Sequence, residues 1–184
     1  YFDQSISRLI SSLTEKPFMT ALNIKKVVAQ WLILFTFAAL SAAATAIDVG
    51  DSLIIDNVET IDGQVLTRES LKGKYLIVQV WATWCPYCHR QNLNLIELTN
   101  RTKGKPLEII ALSVDRNASV VPPYVLNHGL NFHVAMMTPT LNKAIGNRRG
   151  VPELYVVDPT GKIIQKDFGE MVDLDVYDLA DYVK

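Results

Sequence analysis

The sequence predicts an α/β fold: a central mixed β-sheet with helices on both faces and a β-hairpin extension on its N-terminal side. Three observations carry that reading. Tyr75 to Trp81 and Leu107 to Val114 are short apolar runs rich in β-branched residues, the pattern of strands buried on both faces. A helical pattern lies between them, making a strand–helix–strand unit. A second hairpin and a closing helix follow, so the sheet is mixed rather than all parallel.

The elements can be justified in chain order. Lys25 and Lys26 precede an uncharged run from Val27 to Ile47 that includes Trp31, Leu32, Ile33, Leu34 and Phe35. Ala44-Thr45-Ala46 fits the small-x-small pattern before a signal-peptidase cut, as in a cleaved signal. Its length also suits a retained membrane anchor, which needs roughly 20 residues. The run has no polar face, which argues against a core helix. Met19 makes a natural translation start, with the residues before it an extension of the reading frame. Residues 1–47 are therefore set apart from a folded domain at 48–184.

Within that domain, Val58 to Ile61 and Val65-Leu66 flank Asp62-Gly63 and read as a hairpin. After the first buried strand, Pro86 to about Thr102 reads as a helix whose apolar face carries Leu93, Leu95, Ile96 and Leu98. Ser119 to Asn127 is a weaker helix, since Pro122 and Pro123 fit only near its start. A short strand near Phe132 to Ala135 and a helical turn from Leu141 to Ile145 come next. Leu154 to Val157 and Ile163 to Lys166 flank Asp158-Pro159-Thr160-Gly161, and Asp173 to Val183 closes as an amphipathic helix with Leu174, Tyr177, Leu179 and Val183 apolar.

Composition narrows the function. The 184 residues are 49% hydrophobic and 20% charged, so a packed core is expected and general disorder is not. The formal net charge is -1, with acids and bases interspersed, which leaves no basic stripe for nucleic acid. There are two cysteines, in Cys85-Pro86-Tyr87-Cys88. A pair this close closes almost no loop and adds little stability through chain entropy. It is better suited to being made and broken.

The position of the pair supports this. Cys85 falls at the first turn of the helix after the apolar strand, and Pro86 suits the first helical position because it has no N–H to leave unpaired. Free N–H groups and the positive end of the helix dipole favour a thiolate at Cys85, the attacking species. Cys88, one turn along, is placed to attack a mixed disulfide formed by Cys85. Downstream, Gly150-Val151-Pro152 brings a proline to the start of a strand, where it needs a reason. Were that bond cis, the Val151 backbone would offer hydrogen-bonding groups to an extended substrate.

Trp81-Ala82-Thr83-Trp84-Cys85-Pro86-Tyr87-Cys88, with Gly150-Val151-Pro152 and Val156-Val157-Asp158-Pro159-Thr160-Gly161-Lys162 after it, resembles the thioredoxin superfamily. The nearest branch is the TlpA/ResA-like thiol–disulfide oxidoreductases, membrane-anchored or periplasmic. The resemblance covers Asp48 to Lys184. It implies a thioredoxin-like fold, Cys85 as nucleophile, Cys88 as resolving thiol and a cis Pro152. Trp84, Pro86, Tyr87, Val151 and Pro152 are the candidate substrate-binding positions.

Two departures stand out. Where thioredoxins carry a buried aspartate six residues before the first cysteine, this chain has Gln79. Where ResA-like proteins carry glutamate and proline after the second, it has Gln91 and Asn92. Neither glutamine can accept a proton as a carboxylate does. Glu153 is the nearest replacement in sequence, although a strand residue there is expected to face solvent. His89, beside Cys88, is likewise expected to be solvated.

The resemblance implies an extracytoplasmic enzyme that exchanges disulfides with protein substrates and uses no organic cofactor. It favours a periplasmic reductant, keeping thiols reduced for cytochrome c maturation or metal loading and fed by a transmembrane thiol donor in the inner membrane. The alternatives are a disulfide-forming oxidant, or a copper-binding chaperone using Cys85, Cys88 and His89. His128 and His133 show no spacing that completes a zinc site.

Overall fold

The computed structural model describes residues 46–184, and the predicted signal or anchor lies outside them. No helix among the described residues is long and apolar enough to cross a membrane. Strands β1 (Val58–Glu59) and β2 (Val65–Leu66) form the hairpin, paired antiparallel with Val58 opposite Leu66. Gly63 takes the left-handed conformation that its turn requires, at φ 84°. The first strand is shorter than predicted because Thr60 and Ile61 leave it for the main sheet. Thr60 bridges Ala135, and the Ile61 N–H donates to the Val134 carbonyl at 2.8 Å.

A short helix α1 (Arg68–Leu71) was not expected from the sequence. It is a single capped turn, with Thr67 and Ser70 bonding reciprocally, and four residues are too few to show a helical period. The remaining elements are β3 (Tyr75–Trp81), α2 (Pro86–Arg101), β4 (Leu107–Ser113), α3 (Val121–His128), β5 (His133–Met136), α4 (Pro139–Ile145), β6 (Glu153–Val157), β7 (Ile163–Phe168) and α5 (Asp173–Asp178). A 3₁₀ turn, Ala118–Val120, leads into α3, and another, Leu179–Val183, follows α5.

The sheet runs β5-β4-β3-β6-β7, with β3, β4 and β5 parallel and β6 and β7 antiparallel to their neighbours. This is the mixed thioredoxin-like sheet that the sequence predicts. Side chains alternate across β3, so Leu76, Val78 and Val80 face one side and Ile77, Gln79 and Trp81 the other. The first side joins Tyr155 and Val157 with Val58 and Leu66 of the hairpin and Leu141 and Ile145 of α4. The second joins Ile77, Leu154 and Val156 with Leu95 and Leu98 of α2 and with Val176 and Leu179 near the C-terminus. Leu95 and Leu98 are fully buried, each contributing about 2 kcal/mol. They seat the helix whose first turn carries the cysteines.

Two helical faces differ from expectation. On α2, Leu93 is exposed, and the buried stripe runs through Cys88, Gln91, Asn92, Leu95 and Leu98. On α5, Leu174 is exposed and Val176 is buried instead. On α2 polar residues share the inward face, so the apolar residues alone gave the wrong phase.

Candidate active site

Strand β3 ends at Trp81, and three residues, Ala82, Thr83 and Trp84, carry the chain to α2. Cys85 is the N-cap of that helix, with extended backbone angles, and Pro86 opens the first turn. The Cys85 Sγ accepts the Cys88 N–H at 3.1 Å. The cysteines are joined as a disulfide, with Cα atoms 5.2 Å apart. Cys85 keeps 4% of its surface and Cys88 none, so only the first sulfur reaches the outside. Once the bond opens, the Cys88 N–H and the helix N-terminus together favour negative charge on Cys85.

The Val151–Pro152 peptide is cis, and the Val151 carbonyl oxygen lies 3.6 Å from Cys85 Sγ. The Gly169 N–H donates to the Pro152 carbonyl at 2.9 Å, tying this segment to the chain beyond β7. The surface around the pair is apolar, with Trp84 and Tyr87 each more than half exposed. The Arg90 guanidinium lies 4.9 Å from the centre of the Tyr87 ring and also pairs with Glu170. Phe168 is exposed and sits against Gly150, where an added Cβ would touch its ring at 3.6 Å. The structure therefore places Cys85, Cys88 and Val151 together, with Trp84, Pro86 and Tyr87 around them and Pro152 buried beneath.

Behind the disulfide lie Trp81, Ala111, Val121 and Val134. His89 is not a freely solvated position, contrary to expectation. It is half-buried, with Nδ1 3.1 Å from the Tyr124 hydroxyl and its ring 4.9 Å from that of His128. Tyr124 in turn stacks on His128 at 4.0 Å and tilts against Trp81 at 5.2 Å. Burial pushes the Tyr124 hydroxyl pKa upward. Among the described residues, no group of three or more His, Cys, Asp or Glu is placed to hold a metal ion.

The three residues of the two departures from the family pattern meet in one place. Gln79 donates to Asn92 Oδ1 at 2.7 Å and accepts from Gln91 Nε2 at 2.9 Å, and the Met171 N–H donates to Gln91 at 3.0 Å. All three amides are buried, Gln91 and Asn92 one turn beyond Cys88 on α2 and Gln79 facing them from β3. Glu153 is also buried, at 2% exposure, which corrects its expected place in solvent. It lies 3.4 Å from Lys166 Nζ. By alternation along β6 it shares the face of Tyr155, while Leu154 faces α2. A carboxylate on the far side of the sheet does not serve Cys88. It does act on Tyr155, whose hydroxyl pKa is driven up first by burial and then by the charge of Glu153.

One residue was missed in the sequence. Asp115, just past β4, is 8% exposed and accepts from both the backbone N–H and the hydroxyl of Thr83. In sequence it is an ordinary loop aspartate, because its partner lies 32 residues away.

Comparison with known proteins agrees with this geometry. Residues 48–183 match the Redoxin family. The chain is 33% identical over 115 residues to the thiol-disulfide oxidoreductase ResA of Bacillus cereus, covering 61% of this chain and 65% of that relative's length. It is 23% identical over 148 residues to ResA of Bacillus subtilis, covering 80% and 83%. Among solved structures, the thioredoxin domain of a thiol-disulfide oxidoreductase from Bacteroides vulgatus superposes with a TM-score of 0.64 at 21% identity, covering 76% of this chain and all of that one. A thiol:disulfide interchange protein from Chlorobium tepidum gives 0.63 at 24%, covering 75% and 95%. These likenesses establish the thioredoxin fold.

Proposed function

The chain belongs to the Redoxin family, and from that premise we propose that it is an extracytoplasmic thiol–disulfide oxidoreductase acting on protein substrates through Cys85 and Cys88. The observation that carries the proposal is the asymmetry of the pair: one sulfur capping a helix at the surface, the other buried beneath it. In the reducing direction, the Cys85 thiolate attacks a client disulfide and forms a mixed disulfide, releasing one client thiolate. Cys88 then attacks Cys85 Sγ, closing the intramolecular disulfide and releasing the second client sulfur. The client thiols are the reduced product, and the proton of Cys88 leaves with them.

Trp84, Pro86 and Tyr87 supply the apolar surface on which a client segment rests. The Val151 backbone, beside Cys85 and ahead of Pro152, offers it a place to pair as an added strand. We assign the reductant direction and a periplasmic location, with 48–184 as the working domain and the apolar run before it as signal or inner-membrane anchor. A transmembrane thiol donor would reopen the Cys85–Cys88 bond, because the periplasm is otherwise oxidising.

Equilibration of the protein with glutathione tests the direction. A reductant should settle near thioredoxin's potential, about −270 mV, and a value near about −120 mV would make it an oxidant instead.

A further inference from the structure

We infer that Asp115 is a positioning residue for the redox pair: its buried carboxylate pins the loop that delivers Cys85, and its charge opposes ionisation of that sulfur. The inference rests on the thiol–disulfide reading above. The link from β3 to α2 is three residues long, so its middle residue sets the course of the chain. Both donors of that residue, Thr83, end on Asp115: the N–H on Oδ2 at 2.9 Å and the hydroxyl on Oδ1 at 2.7 Å. Two bonds to one planar group fix the orientation of a peptide, where one would leave it free to swing.

The clamp is itself held. The Ser113 hydroxyl donates to Oδ2 at 2.7 Å, and the Asp115 N–H donates back to Ser113 Oγ at 3.1 Å. The Val114 N–H reaches the Trp81 carbonyl at 2.9 Å, so the ends of β3 and β4 leave the sheet joined. From Thr83 the chain continues through Trp84 to Cys85, whose N–H bonds the Ala82 carbonyl at 3.2 Å. Where Sγ stands over the helix end is thus decided by Asp115.

The charge has a second effect. All the hydrogen-bonding groups that Asp115 accepts from, on Thr83 and Ser113, are neutral. Three of the charged or titratable side chains near the pair, His89, Arg90 and Glu153, have partners of their own. On α2, His89 is bonded to Tyr124 of α3, and Arg90 to Glu170 of the β7–α5 loop. Glu153 of β6 lies with Lys166 on the opposite face, whereas Arg148, ahead of Val151, lines the same cavity as Asp115 and donates to the neutral Asn142, so its cation partly offsets the Asp115 charge. At 8% exposure, the part of the Asp115 charge that Arg148 does not offset acts against the helix end, making the thiolate less stable and the pair more reducing.

Asp115→Asn removes the charge and keeps the shape. The pH midpoint for iodoacetamide alkylation of Cys85 should fall, and the equilibrium constant with glutathione should shift about three- to tenfold toward the reduced protein. Thr83→Val keeps the charge and loses the hydroxyl tether. It should slow exchange with glutathione several-fold while the alkylation midpoint stays in place. A midpoint and an equilibrium unchanged in Asp115→Asn, or parental exchange rates in Thr83→Val, would overturn the inference. A parent protein that exchanges no disulfide with glutathione would instead overturn the proposed function, and this inference with it.

Discussion

Burial divides the work between two chemically identical side chains. Cys85 caps a helix and retains a little surface, whereas Cys88 is sealed beneath Trp81 and the apolar end of α3. A client can reach only the first, so the second acts solely on a bond the first has made. Cys88→Ser should therefore accumulate client proteins linked to Cys85, visible as reductant-sensitive bands on a gel, and Cys85→Ser should accumulate none. Adducts held by Cys88 in the Cys85→Ser protein would reverse the roles. Glu153 gives a second residue-scale prediction. Its side chain faces Tyr155 and Lys166 across the sheet from α2, so Glu153→Gln should leave the pH–rate profile of disulfide exchange where it was. An inflection lost in that variant would mean that the carboxylate is coupled to the cysteines after all.

At the scale of the element, α2 is held by apolar contacts at one end and by amides at the other. Leu95 and Leu98 pack against the sheet, while Gln91 and Asn92, nearer the cysteines, bond Gln79 on β3. Gln91→Ala leaves the Gln79 carbonyl and the Met171 N–H without this partner in a buried setting, a loss of about 2 kcal/mol. Urea unfolding should show the midpoint drop without a change in slope, and an unchanged midpoint would mean that the network adds no stability. This mixed face also explains what the sequence concealed. The bounds of β3 were legible because a buried central strand is one unbroken apolar run, and α2 was legible from Pro86 and the strand before it. The inward face of α2 was not, because half of it is polar and apolar periodicity is blind to buried amides. Glu153 was read by its charge as a surface residue, and only Lys166 and Tyr155, brought close by strand pairing, show why it is inside. The cysteine pair and Val151-Pro152 were legible because their spacing carries their meaning. Asp115 was not, since its role exists only once β4 lies beside β3.

On the scale of the whole molecule, the sheet has a chemical end and a structural one. The cysteines follow the C-terminal end of β3, while Lys74, Glu108 and His133 meet at the opposite end, where β3, β4 and β5 begin. Glu108 lies 2.8 Å from Lys74 Nζ and 3.3 Å from His133 Nε2, joining the starts of three parallel strands. The hydrogen bond from His133 first, and then Lys74, hold its carboxyl well below the usual range, at about 2. A carboxyl whose pKa is lowered by folding adds stability that is complete above its unfolded value, near 4.5, and that is lost as the pH falls toward 2. The side chains are about a third exposed, so solvent screening reduces the contribution to about 1 kcal/mol. The parent should therefore lose stability between pH 4.5 and 2 more steeply than Glu108→Gln, and the variant should be less stable at neutral pH. Disulfide exchange by the variant at neutral pH should match the parent, because the substitution lies at the far end of the sheet from Cys85. Parallel acid-unfolding curves for the two proteins would show that the triad contributes no pH-dependent stability, and slower exchange would show that the two ends are coupled through β3 and β4.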